Sequence, residues 1–325
     1  MRVTFYTKDD CSLCVKTKAW LGELKDDIPH TLVEVDIESE PSLQARYEER
    51  VPVVEVGPYT LEAPFDKRDL KVAMLSAQAG LQQDGESVEP KSNPQGLRLN
   101  KGLLFFARHW LAAFNLLVFL YVGLPFAAPV LMQAGAERPA RWIYTAYSPM
   151  CHQLAFRSWF LFGDQPAYPR ELAGVNLTPF EEATGIPGDD LWAARDFVGN
   201  EQVGYKVAFC ERDVAIYGGI LLAGLLYSQL RDKLKPLPLW AWVLFGVVPI
   251  GLDGGTQLIS ELPLPIISAF PARESTPFLR TLTGGLFGIM NVWLAYPYVE
   301  ETMGETRAVV SAKIKAADER AEQAT

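Results

Sequence analysis

The sequence predicts a small α/β domain followed by an all-α domain of several membrane spans. Three observations carry this reading. The first 80 residues alternate strand-patterned and helix-patterned stretches. The polar stretch LQQDGESVEPKSNPQGLRLN, 81–100, then reads as a linker. Residues 101–300 hold four runs almost free of charge, and 301–325 form a charged tail.

The elements of the first part follow in order. VTFYT (3–7) is β-branched and aromatic, as a buried strand requires. DDCSLC follows, then VKTKAWLGEL at helical spacing. TLVEVDI (31–37) alternates as a strand, and PSLQARYEER is a short helix. VPVVEV (51–56) and YTLEA (59–63) pair across Gly57-Pro58, and DLKVAMLSAQ (69–78) closes as a helix. The order is β-α-β-α-β-β-α. Cys11 and Cys14 fall at the first strand-to-helix junction. Unpaired N–H groups and the helix dipole stabilise a thiolate there. At C-x-x-C spacing the first, more exposed thiol attacks and the second closes the disulfide.

Residues 1–80 resemble the thioredoxin superfamily, most closely the small glutaredoxin-like proteins with a C-x-L-C motif. Cys11, Cys14 and the element order carry the resemblance, and Val51-Pro52 matches the family's cis-proline position. Ser12-Leu13 stand where the family usually has Pro or Gly-Pro. The resemblance implies a thioredoxin-like fold, thiol–disulfide chemistry at Cys11 and Cys14, and a backbone edge at Pro52 that pairs with substrate.

The second part is read as four spans, 105–134, 214–230, 237–259 and 281–299. Leu111–Ala136 carries no charge at all, more than the ~20 residues that cross a bilayer. The third run contains one acid, Asp253. Lys91, Arg98, Lys101 and Arg108 precede the first span; Arg231, Lys233 and Lys235 separate the second and third; Arg307, Lys313 and Lys315 follow the fourth. Placing these groups in the cytoplasm puts the N-terminal domain there and turns 137–213 and 261–280 outward. RWIYTAYSPMCHQLAFRSWFLF, within 141–163, reads as a re-entrant or interfacial helix, residues 165–209 as a soluble loop, and the tail as a solvated helix. Five spans are the alternative if 141–163 crosses fully. GDD (188–190) before LWAARDF reads as a helix start with an Asp as N-cap.

This topology gathers the unusual polar residues of the second part on one face. Cys151 and His152 lie in the interfacial segment, Cys210 and Asp213 at the start of the second span, Asp253 late in the third, and Glu274 and Arg280 before the fourth. An acid inside a span is costly and usually functional. Gly254-Gly255 after Asp253 suggests a helix break allowing close approach. Cys151, His152, Cys210 and either Asp213 or Asp253 offer thiolate, imidazole and carboxylate, a donor set zinc would take. Two further readings stand beside it: a Cys151–Cys210 disulfide, or packed cysteines with the acids paired to Arg157, Arg212 and Arg280.

CHQLAFRSW, CERDVAIYGG, LDGGTQ and RESTPFLRTLTGGLFG together resemble a family of predicted membrane proteins of unknown function, over about 141–295. The resemblance implies no activity. It implies that Cys151, His152, Gln153, Arg157, Cys210, Arg212, Asp213, Tyr217, Asp253, Gln257, Glu274 and Arg280 belong to one motif set.

With a net charge of −9, nothing points to a nucleic-acid partner, and 4 cysteines in 325 residues make no disulfide framework. The N-terminus, MRVTFYTKDDC, reaches charge too soon for a secretory signal. The expected protein sits in the inner (cytoplasmic) membrane. Its partners are the lipid bilayer and a soluble thiol or disulfide. Zinc is the cofactor the residues raise; glutathione and a quinone have no residue signal of their own in the sequence. The first function is membrane-anchored thiol–disulfide redox through Cys11 and Cys14. The alternatives are a zinc-dependent or metal-binding membrane protein with the first domain as accessory, and a non-catalytic docking or assembly protein.

Overall fold

A computed structural model of the chain describes residues 1–83, 94–231, 233–261 and 272–323. Part of the expected linker, part of the segment between the third and fourth spans, Asp232 and the last two residues lie outside the described residues. The chain forms two compact units, Met1–Trp110 with Val299–Thr325, and Leu111–Tyr298.

The first unit opens with β1 (Arg2–Thr7), α1 (Ser12–Leu24), β2 (Thr31–Asp36), α2 (Pro41–Tyr47), β3 (Val53–Val56), β4 (Tyr59–Glu62) and α3 (Lys67–Gln83). The sheet order is β2-β1-β3-β4. β1 and β2 are parallel, in register from Arg2 with Thr31 to Thr7 with Asp36, so α1 forms the crossover between them. β3 runs antiparallel to β1 and to β4. Cys14, Thr17, Leu21 and Leu24 are the buried residues of α1, a spacing of three and four that turns one stripe to the sheet. Val3, Phe5, Val33, Val35, Val53, Val54, Leu70 and Met74 fill the core. The thioredoxin-like order read from the sequence is the observed one. His30 is buried, and one ring nitrogen lies 2.7 Å from Ile28 O.

Among the described residues, four helices are long and apolar enough to cross a membrane: Leu97–Gln133, Glu211–Leu230, Leu239–Ser260 and Pro277–Lys315. The first belongs to α4 (Pro94–Gln133), which begins inside the expected linker: α3 runs to Gln83 and α4 starts at Pro94. Leu116, Leu117, Phe119 and Leu120 of α4 are exposed, as lipid-facing side chains are.

After α4 come α5 (Glu137–Tyr147), β5 (Ser158–Leu161), α6 (Phe180–Thr184), α7 (Leu191–Asp196), β6 (Gly199–Asn200), β7 (Gly204–Cys210), α8 (Glu211–Leu230) and α9 (Leu239–Ser260). The expected single helix over 141–163 is not formed. α5 ends at Tyr147, and β5 follows a turn around Cys151. Ser148, the residue before Pro149, still has helical backbone (φ −60°, ψ −31°), and the chain leaves the helix after it, with Gln153 at φ 51°, outside any helix. The expected loop over 165–209 is folded: β7 pairs antiparallel with both β5 and β6. A core of Phe156, Phe160, Tyr168, Phe180, Ala194 and Val203 lies beneath it. Asp190 caps α7 as read, accepting from Ala193 N–H at 3.0 Å.

α9 does not break at Gly254-Gly255; it is helical through Ser260. Its irregularity is a π-turn at Val243–Val247, just before Pro249, whose ring would clash with the carbonyl four residues back. The last helix, α10 (Pro277–Gln323), packs closely on α8. A β-carbon on Gly288 would meet Ile216 O at 2.2 Å, and one on Gly219 would meet Gly285 O at 2.8 Å.

The end of α10 is no solvated tail. Ala308 is buried in the first unit's core, with Val309 and Ala312 packed on it. Arg307 donates to Glu40 from Nε at 2.9 Å and Nη2 at 3.0 Å, and to Glu300 at 2.8 Å; Arg46 pairs with Glu305. Ala308, Val309 and Ala312 thereby add to the apolar core of the four-stranded sheet.

Candidate functional site

The first unit holds one reactive pair. Cys11 occupies the N-cap of α1, and its sulfur accepts the Cys14 N–H at 3.1 Å. The two are joined as a disulfide, with Cα atoms 5.2 Å apart. Cys11 is half-buried whereas Cys14 is 3% exposed. Leu13 and Val15 beside them are exposed. The Val51–Pro52 peptide is cis.

The second unit builds its polar site from two chain reversals. In the first, after α5, the left-handed turn at Gln153 aims its N–H at Cys151 Sγ, at 3.5 Å. Gln153 is held in place: its amide donates to Tyr144 O at 2.9 Å and Ala208 O at 3.0 Å, and its carbonyl accepts from Lys206 Nζ at 2.7 Å. Lys206, fully buried in β7, also donates to Arg195 O. Burial pushes its ammonium down to about 7.

The second reversal is the strand-to-helix junction of β7 and α8. Cys210 ends the strand and caps the helix. Its N–H donates to Cys151 Sγ at 3.3 Å, and its thiol donates to Asp213 Oδ2 at 3.1 Å. Cys151 and Cys210 are free thiols, so of the three readings the disulfide is not the one formed here. The Cys151 side chain beside it, burial and the Asp213 carboxylate push the Cys210 thiol up. Donor atoms of Cys151, Cys210 and Asp213 all lie within 4.8 Å of one another.

The remaining acids are taken by arginines. Glu274, fully buried, accepts from Arg157 Nε at 2.8 Å, Gln257 Nε2 at 2.8 Å, Arg170 Nη1 at 3.2 Å and Arg280. Burial alone would raise its pKa; the guanidiniums of Arg157, Arg280 and Arg170 outweigh that and hold it below the usual range. Arg280 also donates to Glu211 at 2.9 Å. Asp253 accepts from Arg212 at 2.6 Å, Arg273 at 2.9 Å and Ser275 at 2.7 Å. Gly254 lets Arg212 close on α9.

Of the five metal-ligand candidates read from the sequence, the structure therefore brings together Cys151, Cys210 and Asp213. Asp253 is excluded because two arginines and a serine occupy both its oxygens. His152 is exposed and lines the same cavity, outside the donor cluster. Tyr217 packs among Tyr121 and Phe209 instead. The cavity, about 230 Å³, is lined by Met150, Cys151, His152, Arg157, Cys210, Arg212, Asp213, Gln257 and Arg280. Lys206, Arg170, Arg273 and Ser275 escaped the sequence reading as site residues. The first sits in the alternating run YKVAF, where an inward lysine looks like an outward one until the register is known.

The chain matches two family models: a glutaredoxin-like domain (DUF836) at residues 2–78 and a predicted membrane protein (DUF2085) at residues 202–294. The second match begins after Cys151, so it takes in Cys210, Asp213, Asp253 and Arg280 but not the CHQ turn. An uncharacterized protein of Methanocaldococcus jannaschii is 26% identical over 157 residues, 48% of this chain and 67% of that protein. No solved structure matches the chain. The protein thus joins an N-terminal glutaredoxin-like domain to a C-terminal domain of a predicted membrane protein family, with four helices fit to cross a bilayer.

Proposed function

We propose that the protein is a membrane-anchored thiol–disulfide oxidoreductase acting through Cys11 and Cys14. The observation that carries this is the asymmetry of the pair: Cys11 half-buried at the cap of α1, Cys14 buried one turn on and close enough to bond. In the reduced enzyme, the N–H of Cys14 and the helix dipole favour the Cys11 thiolate. That thiolate attacks a partner disulfide, forming a mixed disulfide and releasing one partner thiolate. Cys14 then attacks Cys11 Sγ, releasing the second partner thiolate and closing the Cys11–Cys14 bond. Two electrons pass to the partner, and a soluble dithiol re-reduces the pair by the reverse exchange.

Exposed Leu13 and Val15 flank the sulfurs and suit a protein partner. The lysines and arginines flanking the spans favour a cytoplasmic N-terminal domain in a cytoplasmic membrane. The test is trapping in cells with the full chain. Cys14→Ser should accumulate a mixed disulfide with a soluble protein, and Cys11→Ser should abolish it. Equal trapping by both variants, or by neither, overturns the reading.

A further inference from the structure

We propose that Cys151, Cys210 and Asp213 bind one thiophilic divalent cation, zinc foremost, through two thiolates and a carboxylate, with the fourth position open to the cavity. This goes beyond the chemistry of Cys11 and Cys14 and does not depend on it. A tetrahedral zinc site sets its donors about 3.5–3.8 Å apart. The three donor atoms here already lie within 4.8 Å of one another, so side-chain rotation closes the shell without moving the backbone.

The surroundings of Cys151 suit a thiolate. Two backbone N–H groups, from Gln153 and Cys210, already point at Cys151 Sγ. Cys210 and Asp213 occupy the cap and first turn of α8, a 20-residue helix whose N-terminal N–H groups favour negative charge. Charge also balances. Arg157, Arg170, Arg212, Arg273 and Arg280 face Glu211, Asp213, Asp253, Glu261 and Glu274, five against five. Entry of a dication with departure of the two thiol protons leaves that sum unchanged: M²⁺ + 2 Cys–SH → M(S–Cys)₂ + 2 H⁺.

The donors form one wall of the cavity of about 230 Å³, and Arg157, Arg212 and Arg280 form part of the rest. The open position therefore faces guanidinium groups, which suit water or a small anion as the fourth ligand. A site that keeps one position open is the kind that acts on a bound ligand rather than only bracing the fold.

The test uses the full chain in detergent, carrying Cys11→Ser and Cys14→Ser to remove the other thiol pair and stripped by a chelator. Zinc is titrated against a chromophoric competitor, and cobalt(II) by absorption. We expect one ion per chain, two protons released per ion, and a thiolate-to-cobalt charge-transfer band. Cys151→Ser or Cys210→Ser should each weaken binding about 100-fold or more and diminish the band, and Asp213→Asn about 10- to 100-fold. Because a cysteine variant can lose its fold, alkylation provides a second readout: zinc should shield Cys151 and Cys210 in the otherwise intact chain. Absence of stoichiometric binding, affinity unchanged in Cys210→Ser, or alkylation unaffected by saturating zinc overturns the proposal.

Discussion

A β-carbon on Gly254 would lie 2.9 Å from Arg212 Nη1, and Arg212 has little freedom to retreat because its other terminal nitrogen holds Asp253 at 2.6 Å. The glycine thus serves the ion pair rather than a helix break. Gly254→Val should push the guanidinium off Asp253 and lower stability by about 1–3 kcal/mol. The check is the thermal midpoint of the full chain in detergent, with Gly255→Val as the control, since a β-carbon on Gly255 meets nothing within 4 Å.

Arg280 bridges Glu211 and Glu274, and all three side chains are buried. Removing the cation strands Glu211, whose Oε1 already lacks a partner among the described residues. Arg280→Met should cost about 3–5 kcal/mol, the range for a buried pair broken from one side. Adding Glu211→Gln should recover a large part of that, whereas simple additivity in the double-mutant cycle would show the pair to be uncoupled.

Lys206 gives the second unit a pH dependence. Its pKa falls from 10.5 to about 7 on folding because burial disfavours the ammonium. Between these values the unfolded chain holds a proton that the native chain lacks, so stability rises with pH across that window. Below about 7 both states are charged and the native state bears the full desolvation penalty. Melting midpoints in detergent should therefore climb between about pH 7 and 9. Lys206→Met should flatten the climb; an equal slope in that variant would refute the assignment.

The end of α10 should be part of the first unit's stability. Ala308 is 9% exposed within that core, and Ala308→Asp would bury a charge without a partner there. We expect a loss of about 2–4 kcal/mol and faster proteolysis of residues 1–80. Arg307→Ala should lose less, since its partners Glu40 and Glu300 are only partly buried. A tail that behaves as solvated would leave both measurements unchanged.

The first unit was almost fully legible in the sequence. β2 alternates, β1 is a β-branched and aromatic run and β3 a β-branched one, the helices keep a three-and-four spacing, and the C-x-x-C pair sits at a strand-to-helix junction, all local signals. The spans were legible for the same reason, since a long uncharged run needs no knowledge of its neighbours. The turn at Cys151 and the strand ending in Cys210 were not. Both depend on pairing across the chain, Ser158 with Cys210 and Gln153 with Tyr144 and Ala208. The polarity of the tail concealed the apolar stripe through Ala308 and Val310.

The sequence by itself determined which residues are chemically notable and where the membrane-crossing helices lie, because composition and periodicity act over a few turns. It also determined that Cys11 and Cys14 sit close together, since three residues at a helix start leave them little choice. Only the tertiary structure decided how the polar residues of the second unit divide. Asp253, Glu274 and Glu211 go to arginines, whereas Asp213 alone joins Cys151 and Cys210. A buried carboxylate takes whichever partner the packing of several distant segments brings within about 3 Å, and no local pattern encodes that choice.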